Sequence, residues 1–321
     1  MNKKNVVYLF PGQGAQFSGM AMDLLESDAV KSLFNTASEI FGKDVKELLQ
    51  SDADTLKRTD VSQPAITVAN LAAAEYLKDK GFAPAACAGF SLGEYAALVC
   101  AGIVSTADSF RLIKARGEAM QKASDKLREA SGGDAAASPG MAAIVGLAPE
   151  QVEELIAKWT NEGLKDLYAA NINSPKQLVI SGTAAALTEA EPRFKEAGAK
   201  RVIRLQVAGP FHSPLIADAA AAFAPVLETV KFNDPAIAVF SNVTGKKISS
   251  GEEAKKLALQ QITSPVRWVE EEASIAAGGY EACLEVGPGK VLQGLWKDSS
   301  PADGTGIPVF AAGTAEDISK L

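Results

Sequence analysis

A serine flanked by two glycines constrains the fold of this chain more than any other short segment. Gly89-Phe90-Ser91-Leu92-Gly93 has the G-x-S-x-G spacing of a nucleophile elbow, where a strand turns sharply into a helix and presents a serine hydroxyl. Because this pattern can arise by chance, its interpretation as a nucleophile elbow depends on the segments before and after it. The apolar run 85–88 fits a buried parallel strand, and residues 94–99 fit the start of a helix. This arrangement predicts an α/β fold in which Ser91 is a catalytic nucleophile.

A serine hydroxyl needs an adjacent base to act as a nucleophile at neutral pH, and that base is most often histidine. The chain contains one histidine, His212, on a segment bounded by Pro210 and Pro214. A lone histidine is often structural, but a rigid loop of this kind favours a functional imidazole. A triad acid normally lies between the serine and the histidine in the chain, but the acids in that interval fall on helix faces or loops and none is convincing. We therefore expect a Ser91–His212 dyad whose imidazole is oriented by an uncharged acceptor.

Composition and charge narrow the class of protein. The chain is 47% hydrophobic and 22% charged, as is ordinary for a soluble globular enzyme. Its net charge of −7, without a basic block, argues against a nucleic-acid partner. No apolar run is long enough to span a bilayer and no secretory signal is recognisable, so no membrane association is expected. The three cysteines lack metal-ligand spacing and indicate buried thiols in the cytoplasm; no metal or other cofactor is expected.

The order of predicted elements indicates two structural units. After a small-residue linker at 131–140, the elements between residues 141 and 205 follow the β-α-β-β-α-β pattern of a ferredoxin-like unit. We predict a large α/β-hydrolase-like domain with a parallel sheet, formed by residues 1–137 and 207–321, and an inserted ferredoxin-like α+β subdomain of residues 138–206. Outside the insert, the expected strands are 6–10, 85–88, 238–242, 282–286 and 308–311. The expected helices are 20–26, 28–50, 64–80, 107–126, 251–261, 267–277 and one after residue 289. Thr106 is the expected cap of the helix at 107–126.

Two further features carry weaker signals. Gly12-Gln13-Gly14 lacks the residues of a phosphate-binding loop, and its simplest interpretation is a strand-to-helix turn. The functional alternative is that its backbone N–H forms an oxyanion hole with the N–H of Leu92. Arg116 lies on the helix after the elbow, where most arginines are solvated.

Six segments resemble the malonyl-CoA:acyl-carrier-protein transacylases. They occur in order at 10–16, 89–95, 173–175, 209–213, 264–268 and 285–290. The resemblance therefore covers nearly the whole chain. It implies an α/β-hydrolase-like domain with a ferredoxin-like insert, Ser91 as nucleophile and His212 as general base.

The same resemblance assigns the other residues of the site. It implies that Arg116 binds the free carboxylate of the malonyl group, since a guanidinium forks onto a carboxylate with two charge-assisted hydrogen bonds. Gln13 and Leu92 are implied to supply the oxyanion N–H groups, and Gln261 the carbonyl that orients the histidine. Phe211 matches the malonyl-selective pattern, in which bulk disfavours an α-methyl branch.

One residue departs from the family pattern. Histidine usually precedes the nucleophile, whereas Phe90 stands there in this chain. Because that position is not the base, we expect the chemistry to persist and the change to affect local packing and rate.

The implied reaction is a ping-pong transfer of malonyl from malonyl-CoA to the phosphopantetheine thiol of holo acyl carrier protein, supplying fatty acid biosynthesis. A monomer is expected. Three alternatives remain open from the residues: a serine esterase or thioesterase, a polyketide-pathway acyltransferase, and a non-catalytic carrier-docking module.

Overall fold

The computed structural model describes residues 1–134, 137–301, 304 and 306–321. Helices and strands alternate through most of this part of the chain. In order they are β1 Val6–Phe10, α1 Asp28–Phe41, α2 Val45–Leu49, α3 Thr59–Asp79, β2 Pro84–Gly89, α4 Glu94–Cys100, α5 Thr106–Ala130, β3 Gly140–Val145, α6 Pro149–Asn161, β4 Leu167–Ser174, β5 Gln177–Gly182, α7 Ala184–Glu196, β6 Arg201–Arg204, α8 Ala217–Glu228, β7 Ala238–Val239, α9 Gly251–Gln260, α10 Trp268–Ala276, β8 Ala282–Glu285, α11 Val291–Ser299, β9 Val309–Ala311 and α12 Ala315–Ser319.

The larger sheet is parallel throughout, with strand order β7-β2-β1-β8-β9. Its central strand β1 is buried along its whole length. Tyr8 and Phe10 pack into the core on one face, while Val7 and Leu9 pack into the core on the other. A parallel strand that is covered on both faces has apolar side chains at consecutive positions, and β1 shows this pattern in the sequence. The predicted α/β class with a parallel sheet is confirmed.

The smaller sheet is antiparallel, with strand order β4-β5-β3-β6. Helices α6 and α7 cover it, and Trp159 meets Phe194 edge to face at 4.7 Å between ring centroids. The predicted β-α-β-β-α-β subdomain is therefore present, and all its strands fall within 138–206. The domain boundaries stay a prediction, and in the predicted linker residues 135 and 136 lie outside the described residues.

Helix starts and ends account for most differences from the sequence predictions. Ser105, not Thr106, caps α5, and its hydroxyl accepts the Asp108 N–H at 3.0 Å because the helix begins one residue earlier than predicted. The predicted helix at 28–50 is two helices, because Gly42 adopts a left-handed φ of 69° and ends the first. The predicted helix at 20–26 is a short 3-10 turn, Met22–Leu24.

Three smaller corrections concern the start of α3, the length of β7 and the burial of one cysteine. Helix α3 begins at Thr59 rather than residue 64, so Pro64 lies inside the helix instead of opening it. Strand β7 has two residues instead of the predicted five. Cys100 is half-buried, although Cys87 and Cys283 are buried as expected.

Helix α3 packs against α1 and α5 and is buried along most of its length. This packing carries Gln63 from α3 and Arg116 from α5 into the interior. Within the described residues, no helix combines the length and the apolarity needed to cross a membrane.

Candidate active site

The turn after β2 has the geometry of a nucleophile elbow. Ser91 has a left-handed φ of 51°, which is rare for a residue with a side chain and is held only where the surroundings fix it. A Cβ on Gly89 would lie 2.1 Å from the backbone of Gly93, and one on Gly93 would lie 2.1 Å from the carbonyl oxygen of Phe10. Both glycines are therefore required for the chain to turn this tightly around Ser91.

His212 lies beside Ser91 although 121 residues separate them in the chain. The Oγ of Ser91 is 2.8 Å from Nε2 of His212, and Nδ1 is 2.9 Å from the backbone carbonyl oxygen of Gln261. A carbonyl oxygen can only accept, so Nδ1 carries the proton and Nε2 presents its lone pair to the serine hydroxyl. This arrangement can remove the serine proton without a triad acid.

The surroundings of His212 keep its imidazole neutral. Burial lowers the pKa of His212 to about 4, and the nearby positive charge of Arg116 acts in the same direction. The hydrogen bond to the Gln261 carbonyl opposes this shift without cancelling it. At neutral pH the histidine is therefore unprotonated and able to accept a proton.

Arg116 is a buried cation next to the serine. Its Nη2 donates to Ser91 Oγ at 3.3 Å and to Gln261 Oε1 at 3.1 Å, and its Nη1 donates to Gln63 Oε1 at 2.7 Å. Its guanidinium lies 5.5 Å from the ring centroid of Tyr95. Burial lowers the pKa of Arg116.

No carboxylate among the described residues forms an ion pair with Arg116, although Glu94 is near enough to act on its charge. None of the ion pairs among the described residues includes Arg116, and its Nε has no hydrogen-bond partner among them. A buried and unpaired cation is costly unless an anion joins it. The position of Arg116 therefore suits a ligand with a negative group close to the serine oxygen.

A cavity of about 370 Å³ opens over these groups, and the antiparallel sheet forms part of its wall. The four-stranded antiparallel sheet contributes Met141, Asn171 and Asn173 to the cavity wall. Within the part of the chain that the structure describes, no three His, Cys, Asp or Glu side chains are grouped so that they could hold a metal ion. Six of the seven residues predicted from the sequence line this cavity: Gln13, Ser91, Leu92, Arg116, Phe211 and His212.

Gln261, the seventh predicted residue, lies directly behind the cavity at the end of α9. It is buried, and its side chain donates to the Ser91 carbonyl oxygen at 3.1 Å while accepting from Arg116. The structure therefore brings all seven predicted residues together. Their catalytic and binding roles stay predictions.

Several buried polar residues of the site were not found from the sequence. Gln63 holds Arg116, and Asn242 accepts the Ser91 N–H at 2.7 Å. Glu94, noted in the sequence only as an acid opening a helix, accepts the Asn242 N–H at 2.8 Å, and burial raises its pKa to about 7. Their contacts join distant parts of the chain, so no local pattern marks them.

Phe90 fills the position where the resembling family has histidine. Its ring meets Trp268 edge to face, with 5.5 Å between centroids, and also borders the cavity. The aromatic side chain is thus accommodated by packing on α10 and takes no part in the hydrogen bonds around Ser91 and His212.

Comparisons with known proteins agree with this geometry. Residues 7–305 match the family described as acyl transferase domain. The malonyl CoA-acyl carrier protein transacylase of Bacillus subtilis is 40% identical, over 91% of this chain and 89% of that protein. A crystal structure of an acyl carrier protein S-malonyltransferase from Vibrio cholerae superposes with a TM-score of 0.88 at 36% identity, covering 99% of both chains. A malonyl-transacylase in complex with a type II polyketide synthase acyl-carrier protein gives 0.87 at 34% identity, covering 99% and 98%.

Proposed function

The chain belongs to the acyl transferase family and is an acyltransferase, and from this we propose that it transfers malonyl from malonyl-CoA to the phosphopantetheine thiol of holo acyl carrier protein. One observation carries the choice of acyl group. Arg116 is buried and unpaired by any described carboxylate, 3.3 Å from the Ser91 oxygen. A malonyl ester on Ser91 ends in a carboxylate, which would pair with this guanidinium; an acetyl ester would leave it unpaired.

In the proposed first half-reaction, Nε2 of His212 takes the Ser91 proton as Oγ attacks the thioester carbonyl of malonyl-CoA. The backbone N–H groups of Gln13 and Leu92 are the proposed donors to the oxyanion that forms. When the intermediate collapses, the C–S bond breaks and the proton on His212 passes to the coenzyme A sulfur. The product is malonyl-Ser91.

The second half-reaction runs through the same groups in reverse. The phosphopantetheine thiol of the carrier protein gives its proton to His212 and attacks the malonyl ester. The serine oxygen leaves and regains that proton, so one thioester has replaced another and no redox step is involved. Arg116 holds the malonyl carboxylate throughout, which keeps the ester carbonyl beside the oxyanion donors.

The surroundings of the cavity support a long thioester substrate. A second cavity of about 730 Å³ shares several wall residues with the first, including Met141 and Leu205. The two cavities are therefore adjacent, and we propose that together they accommodate a pantetheine arm reaching Ser91. Four cationic side chains border the outer cavity: Lys57, Arg58, Arg128 and Arg204.

Fatty acid biosynthesis is the proposed pathway, and a polyketide pathway is the second candidate because one similar structure is bound to a polyketide synthase carrier protein. We further propose a monomer acting in the cytoplasm. The Ser91 site is assembled from one chain, and the three cysteines are free, as thiols are in a reducing compartment.

The test is to incubate the protein with malonyl-CoA and holo acyl carrier protein and to measure the intact mass of the carrier protein by mass spectrometry. We expect a malonyl adduct on holo carrier protein and none on apo carrier protein, which lacks the thiol. Free malonate accumulating faster than malonyl-carrier would contradict the proposal and favour a thioesterase. A carrier that stays unmodified while coenzyme A is not released would favour a docking module.

A further inference from the structure

Asn242 lies beneath the nucleophile elbow and is completely buried. It follows β7 in a turn closed by the Gly245 N–H, which donates to the Ser241 carbonyl oxygen at 2.8 Å. The mechanism proposed above gives it no role.

All hydrogen-bonding positions of the Asn242 side chain are used. Its Oδ1 accepts from the Ser91 N–H at 2.7 Å and from Gln261 Nε2 at 3.1 Å. Its Nδ2 donates to the Gly89 carbonyl oxygen and to Glu271 Oε1, both at 2.7 Å. A carboxamide has two acceptor sites and two donor hydrogens, so this one is fully satisfied.

These contacts hold the strained part of the elbow from both sides. The Gly89 carbonyl precedes Ser91 and the Ser91 N–H belongs to the residue whose φ is 51°. A left-handed serine persists only where its surroundings over-determine it, and one carboxamide supplies two of the required bonds. The backbone of Asn242 is itself fixed, because its N–H donates to Glu94 Oε2 at 2.8 Å.

The bond to Gln261 connects the elbow with the rest of the site. Gln261 accepts from His212 Nδ1 through its backbone and from Arg116 through its side chain. A shift of Asn242 would therefore move the nucleophile relative to both its base and the cation. The Oγ–Nε2 distance of 2.8 Å depends on this arrangement.

We propose that Asn242 is a positioning residue for acyl transfer, whose single carboxamide locks the Ser91 backbone to Gln261 and thereby aligns Ser91, His212 and Arg116. The inference rests on the proposed function for the identity of the acyl group. The alignment itself concerns the reactivity of Ser91 toward any electrophile, which allows it to be tested separately.

The test compares Asn242→Ala with Ser241→Ala, using a fluorophosphonate that labels activated serines and intact-protein mass as the readout. Ser241 is a buried neighbour in the same turn whose side chain accepts the Val243 N–H at 3.2 Å, so its loss controls for damage to the turn. We expect Ser91 labelling to slow about 100-fold in Asn242→Ala, as small misplacements of reacting groups do, and to stay within about twofold in Ser241→Ala. With malonyl-CoA, kcat should fall by a similar factor while KM changes less than about threefold.

A folded Asn242→Ala that labels at the wild-type rate, or one that raises KM with kcat unchanged, overturns the inference. If circular dichroism shows that Asn242→Ala does not fold, the nearly isosteric Asn242→Asp takes its place; its carboxyl donates at most one hydrogen bond where Nδ2 donates two, so it should label at least about 10-fold more slowly. Wild type that fails to label at Ser91 also overturns it. Wild type that labels, with the loss in Asn242→Ala, but does not malonylate a carrier would contradict the proposed function and leave this inference standing.

Discussion

At the scale of single residues, the site depends on two buried groups in different charge states. His212 is kept neutral and Arg116 is kept cationic within one hydrogen-bonded cluster, joined through Gln261. Burial disfavours the protonated imidazole of His212, and the positive charge of Arg116 disfavours it further. Burial also lowers the pKa of Arg116, but the ordinary pKa of a guanidinium is so high that the side chain stays charged. We therefore expect His212 to set the pH dependence of the reaction and Arg116 to set its acyl selectivity.

The rate of Ser91 acylation should depend on the neutral form of His212. With a pKa of about 4, the fraction of neutral imidazole is constant at higher pH and falls as the pH drops through that value. We expect a plateau down to about pH 5.5 and a decline below it, measured as the initial rate of malonyl-serine formation. A midpoint near 6.5, the ordinary pKa of histidine, would contradict this.

A second titration must be separated from that of His212. Burial raises the pKa of Glu94 to about 7, and Glu94 contacts the backbone of Asn242 below the elbow. Any step near pH 7 that disappears in Glu94→Gln belongs to this carboxyl. Burial also raises the pKa of Glu271, which accepts from Asn242, so a step that persists in both Glu94→Gln and Glu271→Gln would count against the low pKa of His212.

Arg116→Ala should remove the preference for malonyl. Two charge-assisted hydrogen bonds to a carboxylate are lost, which corresponds to about 10²-fold or more in kcat/KM for malonyl-CoA. Acetyl-CoA offers no carboxylate and should lose much less. Arg116→Lys is the matched control, since it retains the charge without the planar fork and should recover part of the selectivity. Equal losses for both substrates would show that Arg116 supports the fold rather than the acyl carboxylate.

At the scale of elements, the elbow shows which features a local pattern can predict. The glycines at 89 and 93 are explained by contacts within a few residues or with the adjacent strand, so the sequence reveals them. The β-α-β-β-α-β order was predicted for the same reason, from apolar period and turn residues. The helix starts predicted at 64 and 107 are wrong, and the observed starts are 59 and 106. Tertiary packing buries the first turn of α3, whereas the Ser105 cap sets the start of α5.

The steric requirement at Gly93 gives a direct stability prediction. A methyl group there would meet the Phe10 carbonyl oxygen at 2.1 Å, so Gly93→Ala should lower the free energy of unfolding by about 2 kcal/mol or more, in the range of overpacking and backbone strain. Gly294→Ala is the control, because it lies in α11 with nothing within 4 Å of the added carbon. It should gain about 0.5–1 kcal/mol. Denaturant unfolding measures both, and equal effects would contradict the close approach.

At the scale of the whole molecule, the site exists because the chain leaves the parallel sheet, builds the antiparallel one and returns. Ser91 and His212 come from before and after the inserted strands, and Asn171 and Asn173 enter the cavity from the insert. The order of elements and the family resemblance predicted this organisation. They did not reveal Asn242, whose bond to Ser91 spans 151 residues and leaves no periodic or local trace.

The central claim is that Ser91 carries a malonyl group between two thiols. The most direct measurement is the intact mass of the protein after brief exposure to malonyl-CoA, before and after addition of holo acyl carrier protein, for wild type and Ser91→Ala. We expect one malonyl adduct on wild type, none on Ser91→Ala, and loss of the adduct when the carrier is added. An adduct that forms equally on Ser91→Ala, or one that the carrier does not remove, would contradict the account.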